Sequence, residues 1–323
     1  MATQVDRPRG RTPRRRSIVA GIGREWRIWI RPHNLRQMAA AYLLIGPAVV
    51  LFTIFTFIPM VETFVMSFTN RSLVSTTTHW VGWYNYREIL ASQAFWQAFF
   101  NTTIFSLQVL PLNVACALGL ALLVHGKFRG VGWYRTIFFA PVVTSMVAVS
   151  IIWMWLFSPS NGLVNVFLAA FHLPTQAWIV LPHWALEVLV LLRVWKGIGA
   201  NMIIFLAGLN AIPREYQEAA IVDGADKIRQ FWSVTWPLLR PTTFYVLVLG
   251  TISLFQAFSE MYVMTQGGPL GTTTTVVYLV FTSAFQEFQL GYGAAIAAVL
   301  FVVIFGLSLV NVLVVQRRMR VDY

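Results

Sequence analysis

Residues 290–315 read Leu290-Gly-Tyr-Gly-Ala-Ala-Ile-Ala-Ala-Val-Leu300-Phe-Val-Val-Ile-Phe-Gly-Leu-Ser-Leu-Val310-Asn-Val-Leu-Val-Val315, with no charged side chain anywhere. About 20 apolar residues in a helix cross roughly 30 Å of hydrocarbon, and a helix apolar on every face has no water-facing side. This stretch is therefore read as a membrane span. Working outward, five more stretches qualify, at about 39–61, 97–124, 134–157, 184–208 and 242–265. The first ends in Ile58-Pro59-Met60 with Glu62 just beyond, and is expected to continue as a kinked helix. The composition agrees: of 323 residues, 57% are hydrophobic and only 11% charged, against about 25% charged in an average soluble domain. Disorder is excluded because there is too much to bury. A disulfide scaffold is excluded because Cys116 is the only cysteine, expected to be a small packing residue of the second span. The expected fold is all-α and polytopic, with six transmembrane helices.

The 24 Lys and Arg residues then order the loops. Ten arginines precede the first span, from Arg7 to Arg36. The following segments hold, in turn, two (Arg71, Arg87), three (Lys127, Arg129, Arg135), none, four (Arg214, Lys227, Arg229, Arg240), none, and three at the end (Arg317, Arg318, Arg320). Alternate segments are rich and poor, so the positive-inside rule puts both termini in the cytoplasm. Residues 1–37 form a basic tail suited to anionic lipid rather than nucleic acid. They do not read as a signal peptide, because Arg24, Glu25, Arg27 and Arg31 interrupt any apolar core. Residues 38–316 form the six-helix domain, with a core at 97–316, and 317–323 a second basic tail.

The longest cytoplasmic segment, about 209–241, is too structured for a linker. Pro213 suits the start of a helix, 214–222 are good helix formers, and Asp223-Gly224 is a turn signal. A second amphipathic stretch carries Ala225, Ile228, Phe231, Trp232 and Trp236 as its apolar side. Small residues at Ala219, Ala220, Gly224 and Ala225 permit close approach by another backbone, and Glu218 and Asp223 offer acceptors. On physical grounds a docking element and an amphipathic segment lying on lipid are equally consistent with this pattern.

The spacing Glu-Ala-Ala-x3-Gly-x9-Ile-x-Leu-Pro resembles the signature of the membrane subunits of bacterial ABC importers. Here it is Glu218-Ala219-Ala220, Gly224 and Val234-Thr235-Trp236-Pro237, with Trp in place of Leu the larger departure. Val81-Gly82-Trp83-Tyr84-Asn85-Tyr86, Trp195-Lys196-Gly197-Ile198-Gly199, Phe205-Leu206-Ala207-Gly208-Leu209 and Thr265-Gln266-Gly267-Gly268-Pro269 are similar to segments of the carbohydrate-uptake branch. The last is like a marker of the first of its two permease types. The resemblance implies a type I importer transmembrane domain working with a second related permease, two cytoplasmic ATPase subunits that bind ATP and Mg, and an extracytoplasmic solute-binding protein. It implies that Glu218, Ala219, Ala220, Asp223, Gly224 and Ala225 dock on the ATPase, and that the solute is a sugar or sugar-like. Glycerol 3-phosphate or a glycerophosphodiester is the alternative cargo.

No enzyme chemistry is legible. There is no phosphate-binding loop, since Gly126-Lys127 is followed by Phe128 and lacks the preceding spaced glycine. The five histidines (33, 79, 125, 172, 183) have no metal-ligand spacing. No cofactor is expected in this chain. Charges inside spans are functional candidates by default. Arg193 and Lys196 lie one turn apart on the fourth span and could face a water-filled path, favouring an anion; Glu187 or backbone carbonyls could instead satisfy them. Asn201, with Gln108 and Asn113 as weaker candidates, could add polar contacts. On the fifth span Phe255, Phe258 and Tyr262 offer ring faces, and Ser259 and Glu260 polar tips, although Glu260 is close enough to the outer end to reach interfacial water. Gly267-Gly268-Pro269 reads as a tight external turn. An ion-coupled secondary transporter, the rival class, would show paired broken helices in inverted repeats; no repeat is visible.

Overall fold

The computed structural model describes residues 32–75, 77–126 and 129–318, with side chains described from 38 to 313. Most of the basic N-terminal tail, the last five residues of the C-terminal tail and Lys127 lie outside the described residues. The chain forms two compact units, divided between Glu62 and Thr63.

In the first unit, helix Pro32–Phe52 runs into a π-helical turn, Thr53–Phe57, and then into the start of helix Ile58–Met66, whose residues from Thr63 on belong to the second unit. Pro59 explains the wider turn. Its ring clashes with the carbonyl four residues back and it donates no hydrogen bond, so the ladder opens by one residue just before it. Tyr42, Leu43, Leu44 and Phe55 are all highly exposed, as a helix made for lipid or for another chain requires.

The second unit contains the spans Gln93–Val124, Pro182–Asn210, Arg240–Met264 and Leu290–Leu313, together with a broken pair. Its centre is the second span packed on the fourth. Buried Ala117 and Ala121 keep one face narrow. Gly197 does the same on the other, since a Cβ there would run into the Asn113 side chain, and Gly199 lets the fourth span approach the carbonyl of Phe138 on the third. Membrane helices associate through such small residues because lipid gives no hydrophobic drive for them to pair. Cys116 is exposed, not packed; it faces away from this seam.

The third span departs from expectation. Rather than one helix over 134–157, it is Val131–Val143 and Met146–Leu156, bent by 97°. Pro141 weakens the last turn, and Thr144 and Ser145 are extended. The fifth span is also interrupted: Arg240–Phe255 and Ser259–Met264 are separated by Gln256, Ala257 and Phe258. Ser259–Met264 packs on Met146–Leu156, so the two interruptions meet across the bundle.

The segment between the first two spans is held by Asn85, which is buried. Its Nδ2 donates to the carbonyls of Ser67 and Thr69 at 2.8 and 2.9 Å, while the Ser67 hydroxyl meets Tyr86 Oη at 2.6 Å. Arg71 O accepts from Gly291 N at 2.9 Å, where a Cβ on Gly291 would strike the Thr69 carbonyl. Replacing Asn85 by Ala leaves two carbonyls without their donor, and thermal melts in detergent are expected to show a loss of about 1–3 kcal/mol.

Candidate functional site

The two interruptions border a cavity of about 370 Å³ between the second, fourth and fifth spans. Its lining is mainly apolar, with Asn113, Arg193, Lys196, Asn201 and Ser253 as the polar members. Pockets of this size with a few fixed polar groups suit small organic solutes.

Both cations are engaged. Lys196 Nζ donates to the carbonyls of Pro141 at 2.9 Å and Thr144 at 2.6 Å. A third contact, to Thr144 Oγ1, is 3.4 Å. Both carbonyls lie where the third span breaks; Pro141 O also accepts from Thr144 N and Thr144 Oγ1 at 3.3 and 2.6 Å, and the ammonium adds a charged cap at this helix C-terminus. Arg193 Nη2 donates to Ser253 Oγ at 2.7 Å and Ser253 O at 3.3 Å, in the last turn of Arg240–Phe255. Arg193 Nη1 lies 3.4 Å from Glu260 Oε1. Of the alternatives open from sequence, backbone carbonyls take Lys196, while Glu187 accepts instead from Gln108 Nε2 at 2.8 Å.

Glu260 is a correction. It does not reach interfacial water: it is 1% exposed and faces Arg193. The interruption at 256–258 turns the short helix Ser259–Met264 inward, which straight-helix counting misses. Phe255 is the second correction. It is buried among Ile89, Phe95, Ala98, Val276 and Ala295, a core position rather than a cavity wall. Phe258 and Tyr262 stack at 5.3 Å, and each lies 5.2 Å from the Phe281 ring. These rings and Ser259 do not line the cavity. Asn201 does, donating through Nδ2 to Asn113 Oδ1. Asn113 Nδ2 in turn donates to Val194 O at 3.1 Å. Sequence reasoning missed Ser253 and Thr144. No signal marked them, because what recruits them is backbone geometry at helix ends far away in sequence. Pro141 signals that the third span can break, not which side chains the break recruits.

In the 209–241 segment, helix Arg214–Val222 ends at Asp223 in a Schellman motif. Ala225 N donates to Ala220 O at 2.9 Å and Gly224 N to Ile221 O at 3.0 Å. Gly224 sits at φ +75, the left-handed value that this motif needs and glycine meets most cheaply. Asp226 caps the next helix, Lys227–Gln230, accepting from Arg229 N at 2.8 Å. Gln230 Nε2 reaches back to Gln217 O at 3.1 Å, tying the two helices together. A π-helical turn, Phe231–Thr235, follows. Phe231 and Trp236 pack against the core around Val124, Met202 and Phe205. Glu218, Ala219, Asp223 and Gly224 are exposed, and so are Val222 (86%) and Ile228 (71%). The loop thus leaves large apolar side chains uncovered beside charged ones.

A bundle of membrane spans around a lined cavity, with a prominent helical loop at one end, defines a transport permease. Residues 113–321 match the family described as binding-protein-dependent transport system inner membrane component, and the chain belongs to it. It is 37% identical to the probable ABC transporter permease protein YesP of Bacillus subtilis over 85% of this chain and 88% of that one. It is 32% identical to the sn-glycerol-3-phosphate transport system permease protein UgpA of Agrobacterium fabrum, over 86% and 94%. Identity to the trehalose/maltose transport system permease protein MalF of Thermococcus litoralis is 31%, over 85% and 93%. The fold matches a chain of a bacterial ABC transporter that imports the acidic polysaccharide alginate, with TM-score 0.79 at 23% identity over 91% and 99% of the two chains. The chain is thus a non-enzymatic inner-membrane permease of an ABC importer that works with a binding protein, and the ion-coupled reading is set aside.

Proposed function

We propose that this chain forms half of a central path for a sugar or sugar-like solute, the other half coming from a related second permease. Two cytoplasmic ATPase subunits, holding ATP and Mg, drive the path through the loop at 213–237. Glu218, Ala219, Ala220, Asp223, Gly224 and Ala225 form the docking face. The rich–poor alternation of positive charge supports cytoplasmic termini and puts this loop on the ATPase side. An extracytoplasmic binding protein delivers the solute to the opposite side. ATPase closure moves the loop, and the spans exchange one open side for the other.

The observation that carries the cargo reading is the occupancy of the cavity's cations. Arg193 faces Glu260 and Ser253, and the Lys196 ammonium is taken up by carbonyls. The remaining wall is apolar with amide and hydroxyl groups, which suits a neutral polyol better than a phosphate. One excess positive charge remains between the two cations and Glu260; together with the relatives that carry glycerol 3-phosphate, it favours the second reading, an anionic cargo. Thermal melting of the cognate binding protein against neutral sugars, sugar phosphates and glycerol 3-phosphate separates them. A true ligand at a hundred times its Kd adds about 2.7 kcal/mol. Stabilisation by neutral sugars, followed by ATP-dependent uptake of the same sugar into vesicles, is expected. Stabilisation by glycerol 3-phosphate alone would replace the neutral-sugar reading.

A further inference from the structure

The last four carbonyls of any helix lack an intrahelical donor, and a helix interrupted inside a membrane has no water to supply one. The third span stops at Val143 and the fifth at Phe255, both within the bundle. Thr144 supplies part of the need at the third-span break, its N–H and hydroxyl donating to Pro141 O at 3.3 and 2.6 Å, and charged donors to both breaks come from one place, the fourth span. Lys196 reaches the end of the first half of the third span through Pro141 O and Thr144 O. Arg193, one turn earlier on the same face, reaches the end of the first half of the fifth span through Ser253 O and Oγ. Arg193 also faces Glu260, in the first turn of the segment after the break, so it touches both sides of that interruption. A cation at a helix C-terminus is favoured by the partial negative charge there. Both cations, Ser253 and Val142, beside the third-span break, line the same cavity.

We infer that Arg193 and Lys196 are a paired latch: positioning residues through which the unbroken fourth span holds the interruptions of the third and fifth spans in place, and so sets the access of water and solute to the cavity. This rests on the proposal that the cavity belongs to the path. It adds that the path's walls are movable at these two breaks and that the fourth span controls both. A role limited to neutralising charge makes a different prediction. It needs only that Arg193 and Glu260 cancel, and it gives the carbonyl contacts no function.

The test uses the whole importer in proteoliposomes, with Cys116→Ala removing the native thiol and Ala200→Cys placing a reporter in the cavity wall. The rate at which a membrane-impermeant thiol reagent modifies residue 200 reads cavity access. Lys196→Met is expected to change that rate on the order of tenfold, the worth of a hydrogen bond to a charged group, and Lys196→Arg to restore much of it. Arg193→Leu combined with Glu260→Leu removes both charges together, which keeps the experiment interpretable if a lone Lys196 or Arg193 variant fails to assemble. The latch predicts that labelling stays altered in this pair although its yield recovers. Wild-type labelling in the pair, or in Lys196→Met, would overturn the latch. Uptake before and after labelling of Ala200→Cys tests the path reading separately: unimpaired uptake with the thiol fully modified would remove the cavity from the path and leave the labelling comparison intact.

Discussion

Gly224→Trp is expected to release the ATPase subunits from the detergent-solubilised importer and to lower uptake on the order of a hundredfold, the effect of obstructing the centre of a tight interface. The expectation rests on what surrounds this glycine. A Cβ built there meets no atom within 4 Å beyond its chain neighbours, so a side chain at this position starts into open space. The backbone does resist substitution, because φ is +75 and an L residue pays about 1–2 kcal/mol for that conformation. Gly224→Asn separates the two causes, since asparagine tolerates the left-handed region and is small. Co-purification retained in Gly224→Asn and lost in Gly224→Trp places a partner surface directly over residue 224. If both variants retain their ATPase and transport normally, the docking face is elsewhere, and the apolar Val222 and Ile228 rest on lipid instead.

Glu260→Ala carries the second large effect. It leaves Arg193 inside the bundle facing only Ser253. Breaking a buried pair by removing one partner typically costs about 3–5 kcal/mol. A loss of that size is expected in thermal melts of the purified permease, with a lower yield in the membrane. Adding Arg193→Leu should recover most of the stability, because a bundle without either charge is no worse packed than one with both. A single Glu260→Ala variant as stable as the wild type would mean that the carboxylate does not balance the guanidinium. Phe255→Ala, by contrast, is a core truncation and should read as lost stability rather than as altered solute preference.

Much of this molecule was legible one residue at a time. The six apolar stretches, the alternation of positive charge, and the Asp223-Gly224 stop of the loop helix are local properties, and local physics enforces them. A charge-free run of the length of 290–315 has to become a helix in lipid. A left-handed helix end favours glycine, and the Schellman bonds at Ala220 and Ile221 follow from that. The loop at 209–241 could be drawn almost to the residue for the same reason. Its two helices, their caps and their turn are specified within a few residues of one another. The cavity was only partly legible. Arg193, Lys196 and Asn201 could be nominated because charge and amide groups are conspicuous in an apolar span.

Their partners could not be nominated. Lys196 finds carbonyls 55 and 52 residues away, and Arg193 finds Ser253 60 residues away. Backbone carbonyls are present at every position and announce nothing; only a break in the helix makes two of them available. Periodicity reads a helix as continuous until the tertiary structure supplies another group to satisfy the ends. That is why periodicity draws the third span as one helix, leaves Glu260 open between the path and interfacial water, and counts Phe255 among the ring faces offered to solute. Sequence alone determined that the chain crosses a membrane several times and that its 209–241 segment is a structured helical loop, because those depend on length, charge and turn chemistry. The tertiary structure alone decided where the helices break and which side chains the breaks recruit, because a hydrogen bond between distant segments exists only once the packing has brought them together.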